Sequence, residues 1–198
     1  MTPGILRKSI TITLPAWMDD FISQWTEGFE TVEQRMRFVI ACALKSVSSN
    51  SGGPFAAAVF DQTSHALVAA GVNLVTTQCC SSAHAEIVAL SFAQQNLGRF
   101  DISDGGKLHY ELVTSTAPCA MCLGAVPWSG VTRLVCGARD EDARAVGFDE
   151  GAKVTDWVAQ LNRRGIEVIT DVCREEAASV LRSYASLGGV IYNSRNSF

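Results

Sequence analysis

Apolar residues recur along this chain with two different periods, and the switches between them mark out its elements. Val32, Met36, Val39, Ile40, Ala43, Leu44 and Val47 follow helical spacing, which predicts a helix from Thr31 to Ser48 that ends at the breaker Asn50-Ser51-Gly52-Gly53-Pro54. Phe55 to Phe60 and Ala66 to Val75 read as two strands of a hairpin around an Asp61-Gln62-Thr63-Ser64 turn. Helical spacing returns from Ala85 to Ala93, so His84 stands near a helix N-terminus. After the Gly105-Gly106 loop, Leu108 to Thr114 reads as a strand leading to Pro118, where a second helix runs to about Ser129. Arg133 to Ala138 is a short apolar strand, Thr155 to Arg164 a helix, Ile166 to Thr170 a strand, and Glu175 to Leu187 a last helix. Upstream, Ser9-Ile10-Thr11-Ile12-Thr13-Leu14 alternates like a strand and stops at Pro15. Trp17, Phe21 and Trp25, four apart, then predict a short amphipathic helix. Residues 1–30 are read as an extension, a packing arm or dimer contact, ahead of one domain over residues 31–198. Strand and helix alternate throughout that domain, which predicts an α/β fold with a mixed five-stranded sheet covered by helices.

Composition narrows the class. The chain has 198 residues, 47% hydrophobic and 18% charged, which is enough for one domain with a substantial core and lies outside the disordered range. Seven cysteines, an odd number without framework-like spacing, argue for a reducing compartment, and the N-terminus lacks a secretory pattern, so a cytoplasmic location is expected. No apolar run reaches the roughly 18 residues that would span a bilayer, so no membrane partner is expected. The formal net charge is −4, and the close basic pairs, Arg35-x-Arg37 and Arg163-Arg164, read as solvated helix faces. A nucleic-acid partner is disfavoured, because gripping phosphates takes a basic stripe.

Against this background one pair of motifs carries chemistry. His84-Ala85-Glu86 and Pro118-Cys119-Ala120-Met121-Cys122 together offer one imidazole and two thiols one helical turn apart, all at helix starts whose dipoles favour thiolates. Three such ligands fill three corners of a tetrahedral zinc site and leave one for water, whose pKa falls towards about 7. Glu86 is left free to move protons. Each half is weak alone, since a C-x-x-C is as often a redox pair or half of a structural zinc knuckle. Cys79-Cys80, just upstream of His84, are the candidates for a fourth thiolate that would close the site, whereas Cys136 and Cys173 read as core thiols.

The H-x-E…P-C-x-x-C pattern is the established signature of zinc nucleobase deaminases and is recognised here as such. The sequence resembles the cytidine-deaminase-like superfamily from about Thr31 to Asn193, and more narrowly its guanine deaminase branch. The resemblance rests on Gly52-Gly53-Pro54-Phe55-Ala56-Ala57-Ala58-Val59, Gly71-Val72-Asn73, Ala83-His84-Ala85-Glu86-Ile87, Pro118-Cys119-Ala120-Met121-Cys122-Leu123-Gly124-Ala125 and Trp128. It implies a three-layer cytidine-deaminase-like fold, one Zn²⁺ per chain on His84, Cys119 and Cys122, and Glu86 as proton shuttle. It also implies a free aminated heterocycle as substrate, guanine or an aminotriazine such as ammeline, and a homodimer. Val146-Gly147-Phe148-Asp149-Glu150-Gly151 resembles the loop that brings a second carboxylate to the pocket in that branch, which carries over to Glu150. Asn73 and the backbone at Ala85 are expected to hydrogen-bond the ring, with Phe55, Trp128 and Phe148 sandwiching its faces. tRNA adenosine deaminases share the two metal motifs, so adenosine in tRNA is the alternative substrate, and a non-catalytic zinc scaffold of the same fold is a third reading. The ending, Ile191-Tyr192-Asn193-Ser194-Arg195-Asn196-Ser197-Phe198, departs from the tails that reach a partner's pocket in small guanine deaminases, so the resemblance leaves open whether the tail is swapped here.

Overall fold

The computed structural model describes residues 8–193. Strands β1 (Ala56–Asp61), β2 (Leu67–Val72), β3 (Tyr110–Thr116), β4 (Arg133–Ala138) and β5 (Glu167–Ile169) form one sheet in the order β2-β1-β3-β4-β5. β1 runs antiparallel to β2 and β3, while β3, β4 and β5 are mutually parallel. The helices are α1 (Trp17–Ser23), α2 (Val32–Ser48), α3 (Ala85–Leu97), α4 (Ala120–Ser129), α5 (Asp140–Ala145), α6 (Trp157–Arg163) and α7 (Arg174–Ser186).

Strand alternation sorts the core into two layers. Ala56, Ala58 and Phe60 of β1 face the side covered by α2 and α7, with Val113 and Val135. Ala57 and Val59 face the side covered by α3, α4 and α6, with Leu112 and Leu134. The three-layer arrangement follows. α2 starts where the sequence placed it because Thr31 and Gln34 form a reciprocal capping box, Thr31 N–H to Gln34 Oε1 at 2.8 Å and Gln34 N–H to Thr31 Oγ1 at 3.2 Å. At Gly71 a Cβ would stand 2.6 Å from both the Ala85 carbonyl oxygen and the Ala89 nitrogen, so only glycine lets α3 lie this close to β2. That approach sets the height of His84 and Glu86 above the sheet.

Three expectations are corrected. Residues 9–14 form no strand; their alternation serves to drop Ile12 and Leu14 onto the α2 side of the core while Ile10 stays 85% exposed. Trp17, Phe21, Trp25 and Phe29 continue that packing around the fully buried Phe38 and Phe60, two rings whose burial contributes about 2–3 kcal/mol each. Arg35 does not lie on a solvated face. It is 4% exposed, pairs with the fully buried Glu111 of β3, and donates to the Phe29 carbonyl at 2.6 Å, so it ties the N-terminal segment to the sheet. Removing one partner of such a pair costs about 3–5 kcal/mol, because the other charge is left buried. Finally, α5 was not expected: its six residues, Asp-Glu-Asp-Ala-Arg-Ala, are too short and too polar to show an apolar period.

Candidate active site

Both metal motifs arrive at helix starts. His84 is the N-cap of α3 and Cys119 the N-cap of α4, each in extended backbone geometry and neither spending its side chain on a cap. β3 delivers Cys119 through Ala117, whose N–H donates to the Ala138 carbonyl at 2.8 Å. One turn into α4, Cys122 is buried beneath it. The ligand atoms of His84, Cys119 and Cys122 lie within 4.8 Å of one another, and among the described residues no other His, Cys, Asp or Glu joins them. Cys79 and Cys80 stay outside the cluster, Cys79 exposed and the Cys80 thiol facing Ser82 Oγ at 3.3 Å, so the fourth-thiolate reading is not realised. Cys173 is only half-buried, in left-handed geometry at the head of α7, whereas Cys136 is a core thiol as expected.

The electrostatics of the trio suit a dication. A hydrogen bond from Cys122, together with His84 at 3.5 Å, draws the Cys119 thiol down to about 4, while the same bond and burial push Cys122 well above the ordinary range. Without a cation only one of the two sulfurs carries charge. A bound Zn²⁺ removes that conflict and makes both thiolates favourable.

The cluster forms one wall of a cavity of about 200 Å³. Glu86, Glu150, Asn73, Phe55, Phe148 and Tyr192 line the rest, with Asp149 and Asn193 at the edge. This is below the roughly 300–1,000 Å³ of drug-sized pockets and suits one small heterocycle. Glu86 is 7% exposed, and burial, then the negative charge of Cys119, raise its pKa. Glu150 is 5% exposed, and burial, then Cys119 and Glu86, push it up to about 8. Asp149 takes the other course: it is exposed, accepts the Gly151 N–H at 2.8 Å and lies 3.9 Å from Arg144. Of the two adjacent acids, the buried one is therefore Glu150. Its backbone is held by the Ala120 N–H, which donates to the Glu150 carbonyl at 2.9 Å.

A carboxyl raised on folding stabilises the fold below its unfolded pKa and costs stability as pH climbs through the folded value. In metal-free protein, the stability of Glu150→Gln relative to wild type is therefore expected to rise from pH 4.5 to pH 8, by on the order of a few kcal/mol at the upper end. Thermal melts of the two proteins at both pH values read this directly; a constant difference would show that Glu150 is not held in a desolvated site.

Asn73 is fully buried, and its Oδ1 accepts the Val75 N–H at 3.2 Å, which leaves Nδ2 as the donor facing the cavity. Ala85 is not in the cavity wall; it is buried in the layer between α3 and the sheet. The aromatic sandwich is also corrected. Phe55 and Phe148 meet each other edge to face, 4.8 Å between centroids at 74°, so they build one corner of the wall instead of two opposing faces. Trp128 does not line the cavity of its own chain. Six residues beyond Cys122, it has rotated round to the outer face of α4 and is 82% exposed, beside a groove it shares with Trp157.

Tyr192 takes an unforeseen place, 5.3 Å from the Phe148 ring and 6.3 Å from His84. It fits because a Cβ on Gly53 would come within 2.9 Å of its ring. Gly53 in the Gly52-Gly53-Pro54 run was the available signal, but as a helix breaker and a family motif it does not announce a ring packed against it. Asn193 follows, donating to the Gly147 carbonyl at 3.0 Å and accepting the Asp149 N–H at 3.1 Å. The chain's own tail thus lines its own cavity up to residue 193; residues 194–198, which the swapped-tail question also concerned, lie outside the described residues.

The family model for the cytidine and deoxycytidylate deaminase zinc-binding region matches residues 29–138. Guanine deaminase of Bacillus subtilis is 35% identical over 118 residues, covering 60% of this chain and 71% of its own. The tRNA-specific adenosine deaminase of Haemophilus influenzae is 29% identical over 157 residues, 77% of this chain and 82% of its own. The structure of guanine deaminase from Nitrosomonas europaea superposes with a TM-score of 0.85 at 43% identity, covering 92% of this chain and all of that one. A structure solved in complex with 2,6-diaminopurine gives 0.86 at 45% identity, with 94% and 98% covered. The chain belongs to the zinc-binding cytidine and deoxycytidylate deaminase family, in its guanine deaminase branch, and is a hydrolytic deaminase acting on a C–N bond.

Proposed function

We propose that this enzyme deaminates a free aminated heterocycle, guanine to xanthine and ammonia first of all, with aminotriazines such as ammeline as further substrates. The observation that carries the reading is the second buried carboxyl, Glu150, sharing a cavity of about 200 Å³ with Glu86, His84 and Cys119, beneath which Cys122 completes the trio. Zinc held by those three supplies Lewis acidity that makes water a nucleophile near neutral pH. Glu86 takes the proton of the attacking water and gives it to the ring nitrogen beside C2. The carbon becomes tetrahedral, and the amino group, which cannot leave as amide ion, needs a second proton. Glu150, whose pKa burial raises, lines the same cavity as Glu86 and is placed to supply it. The Asn73 Nδ2 group meets a ring acceptor, and the Phe55, Phe148 and Tyr192 wall excludes water.

Adenosine in tRNA is the competing substrate, since a tRNA-specific relative covers much of the chain. The narrow cavity capped by Tyr192 and Asn193 and the net charge of −4 favour a free base. A scaffold without catalysis has no use for two buried carboxyls beside the metal trio. We further assign residues 8–30 as a packing arm, which agrees with the burial of Met18 and the Trp17-to-Phe29 aromatics; residues 1–7 of the expected extension lie outside the described residues. We also assign a cytoplasmic homodimer working in purine breakdown. No helix among the described residues is long and apolar enough to cross a membrane, and the exposed Trp128 and Met121 on α4 offer an apolar face to a second copy.

Ammonia release from guanine, ammeline, adenine, cytosine, isocytosine and a tRNA anticodon stem tests the substrate class. Glu150→Gln tests the carboxyl: kcat on guanine is expected to fall by about 100-fold or more with zinc retained, and Asp149→Asn by far less. Equal small effects from both would reduce Glu150 to a structural residue, and turnover of the stem alone would reassign the enzyme to RNA.

A further inference from the structure

After Phe148 the chain carries Glu150 through a stretch without regular structure until α6 opens at Trp157. Apolar burial does little to hold that stretch: from residue 151 to residue 156 every residue is exposed except Lys153. The Lys153 side chain is 4% exposed. Its ammonium lies 2.8 Å from Oδ1 of Asp140, the first residue of α5, and 4.2 Å from the ring centroid of Trp157, the first residue of α6. It does not line the substrate cavity, and no step of the chemistry uses it.

A buried lysine is an expensive way to fasten a loop, because a desolvated ion pair is often matched in stability by apolar residues of similar volume. Its charge therefore calls for another reason. The neighbourhood supplies one, since Glu150 has to sit close to Cys119, Glu86 and Asp140, all sources of negative charge. A carboxyl on an exposed loop would swing out of such a site unless a cation and a rigid anchor kept it in.

We propose that Lys153, boxed between the Asp140 carboxylate and the face of Trp157, is the positioning residue that holds the Glu150 carboxyl against the metal trio. The two anchors stand on either side of the working residue. On the inner side the Ala120 N–H binds the Glu150 carbonyl, and Arg144 binds the Gly151 carbonyl at 3.1 Å. On the outer side Lys153 joins the loop to the heads of α5 and α6 at once, a geometry that neither anchor alone would fix. The electrostatic picture agrees: Lys153 is the cation that offsets part of the upward pressure on Glu150.

This inference rests on Glu150 being the second proton carrier, so Glu150→Gln is measured in parallel. In zinc-loaded Lys153→Met, kcat on guanine is expected to fall by about 10- to 100-fold, as a misplacement of roughly 1 Å would cause. KM should stay within about threefold and zinc at one per chain, while amide hydrogen exchange across 149–153 accelerates. Lys153→Arg, which keeps the charge and the stacking on Trp157, should recover kcat to within about threefold of wild type. Should Lys153→Met fail to fold, the double variant Lys153→Gln/Asp140→Asn leaves no buried charge unpaired and carries the same readouts. Wild-type kcat in the neutral variant overturns the proposal. So does a loss that Lys153→Arg does not restore and that comes with lost zinc or a lower unfolding midpoint. If Glu150→Gln is impaired while Lys153→Met is not, only this inference fails; if Glu150→Gln turns over normally, the reading of Glu150 falls first.

Discussion

Glu86→Gln should yield a folded, zinc-loaded protein whose ammonia release from guanine drops by at least about a hundredfold. The amide matches the carboxyl in shape but cannot accept a proton from water and return it to the ring. Glu86 is 7% exposed in the wall it shares with His84 and Cys119, so no bulk water stands in for it. Burial and the charge of Cys119 raise its pKa. Metal analysis and steady-state kinetics on the same preparation check this. A variant with full zinc and near-normal turnover would move the shuttle to another residue, Glu150 being the one other buried carboxyl lining the cavity among the described residues.

Cys119→Ala is expected to lose both zinc and activity, down to the uncatalysed background. With three protein ligands within 4.8 Å and no fourth among the described residues, removing one leaves two, too few to hold a dication against a modest chelator. The loss should extend to stability, because metal binding to the native state contributes free energy that the variant lacks. Metal content by mass spectrometry, with and without added zinc, distinguishes lost affinity from lost chemistry. Zinc still bound at one per chain would show that the ligand set has been misassigned.

Much of the site could be read from the chain because its parts are local. His84 and Glu86 are two residues apart, Cys119 and Cys122 one helical turn apart, and a helix start gives each pair a defined direction without reference to the rest of the fold. Glu150 was reached by likeness of its loop, and its burial, unlike that of Asp149, was visible only in three dimensions. Trp128 shows the opposite failure. Its spacing from Cys122 is fixed in number, but six residues along a helix turn a side chain to the far side, away from the face that carries the ligands. Arg35 looked like a surface charge because nothing nearby in the chain announced Glu111, its partner on a strand that lies 76 positions away.

What the sequence determined by itself follows from periodicity and short-range chemistry: the alternation of strands and helices, their approximate ends, and the two metal motifs at helix starts, whose likeness to a known family pointed to the reaction. Each of these is set by residues close enough along the chain to share one turn of helix or one strand face. The tertiary structure alone decided which long-range neighbours complete the pocket. Tyr192 reaches His84 across more than a hundred residues because Gly53 leaves room for its ring. Asn193 binds the Glu150 loop, and Lys153 meets Asp140 and Trp157 behind it. Such contacts depend on packing between separately formed elements, where side-chain volume and buried charge settle the partners, and no local period in the chain encodes them.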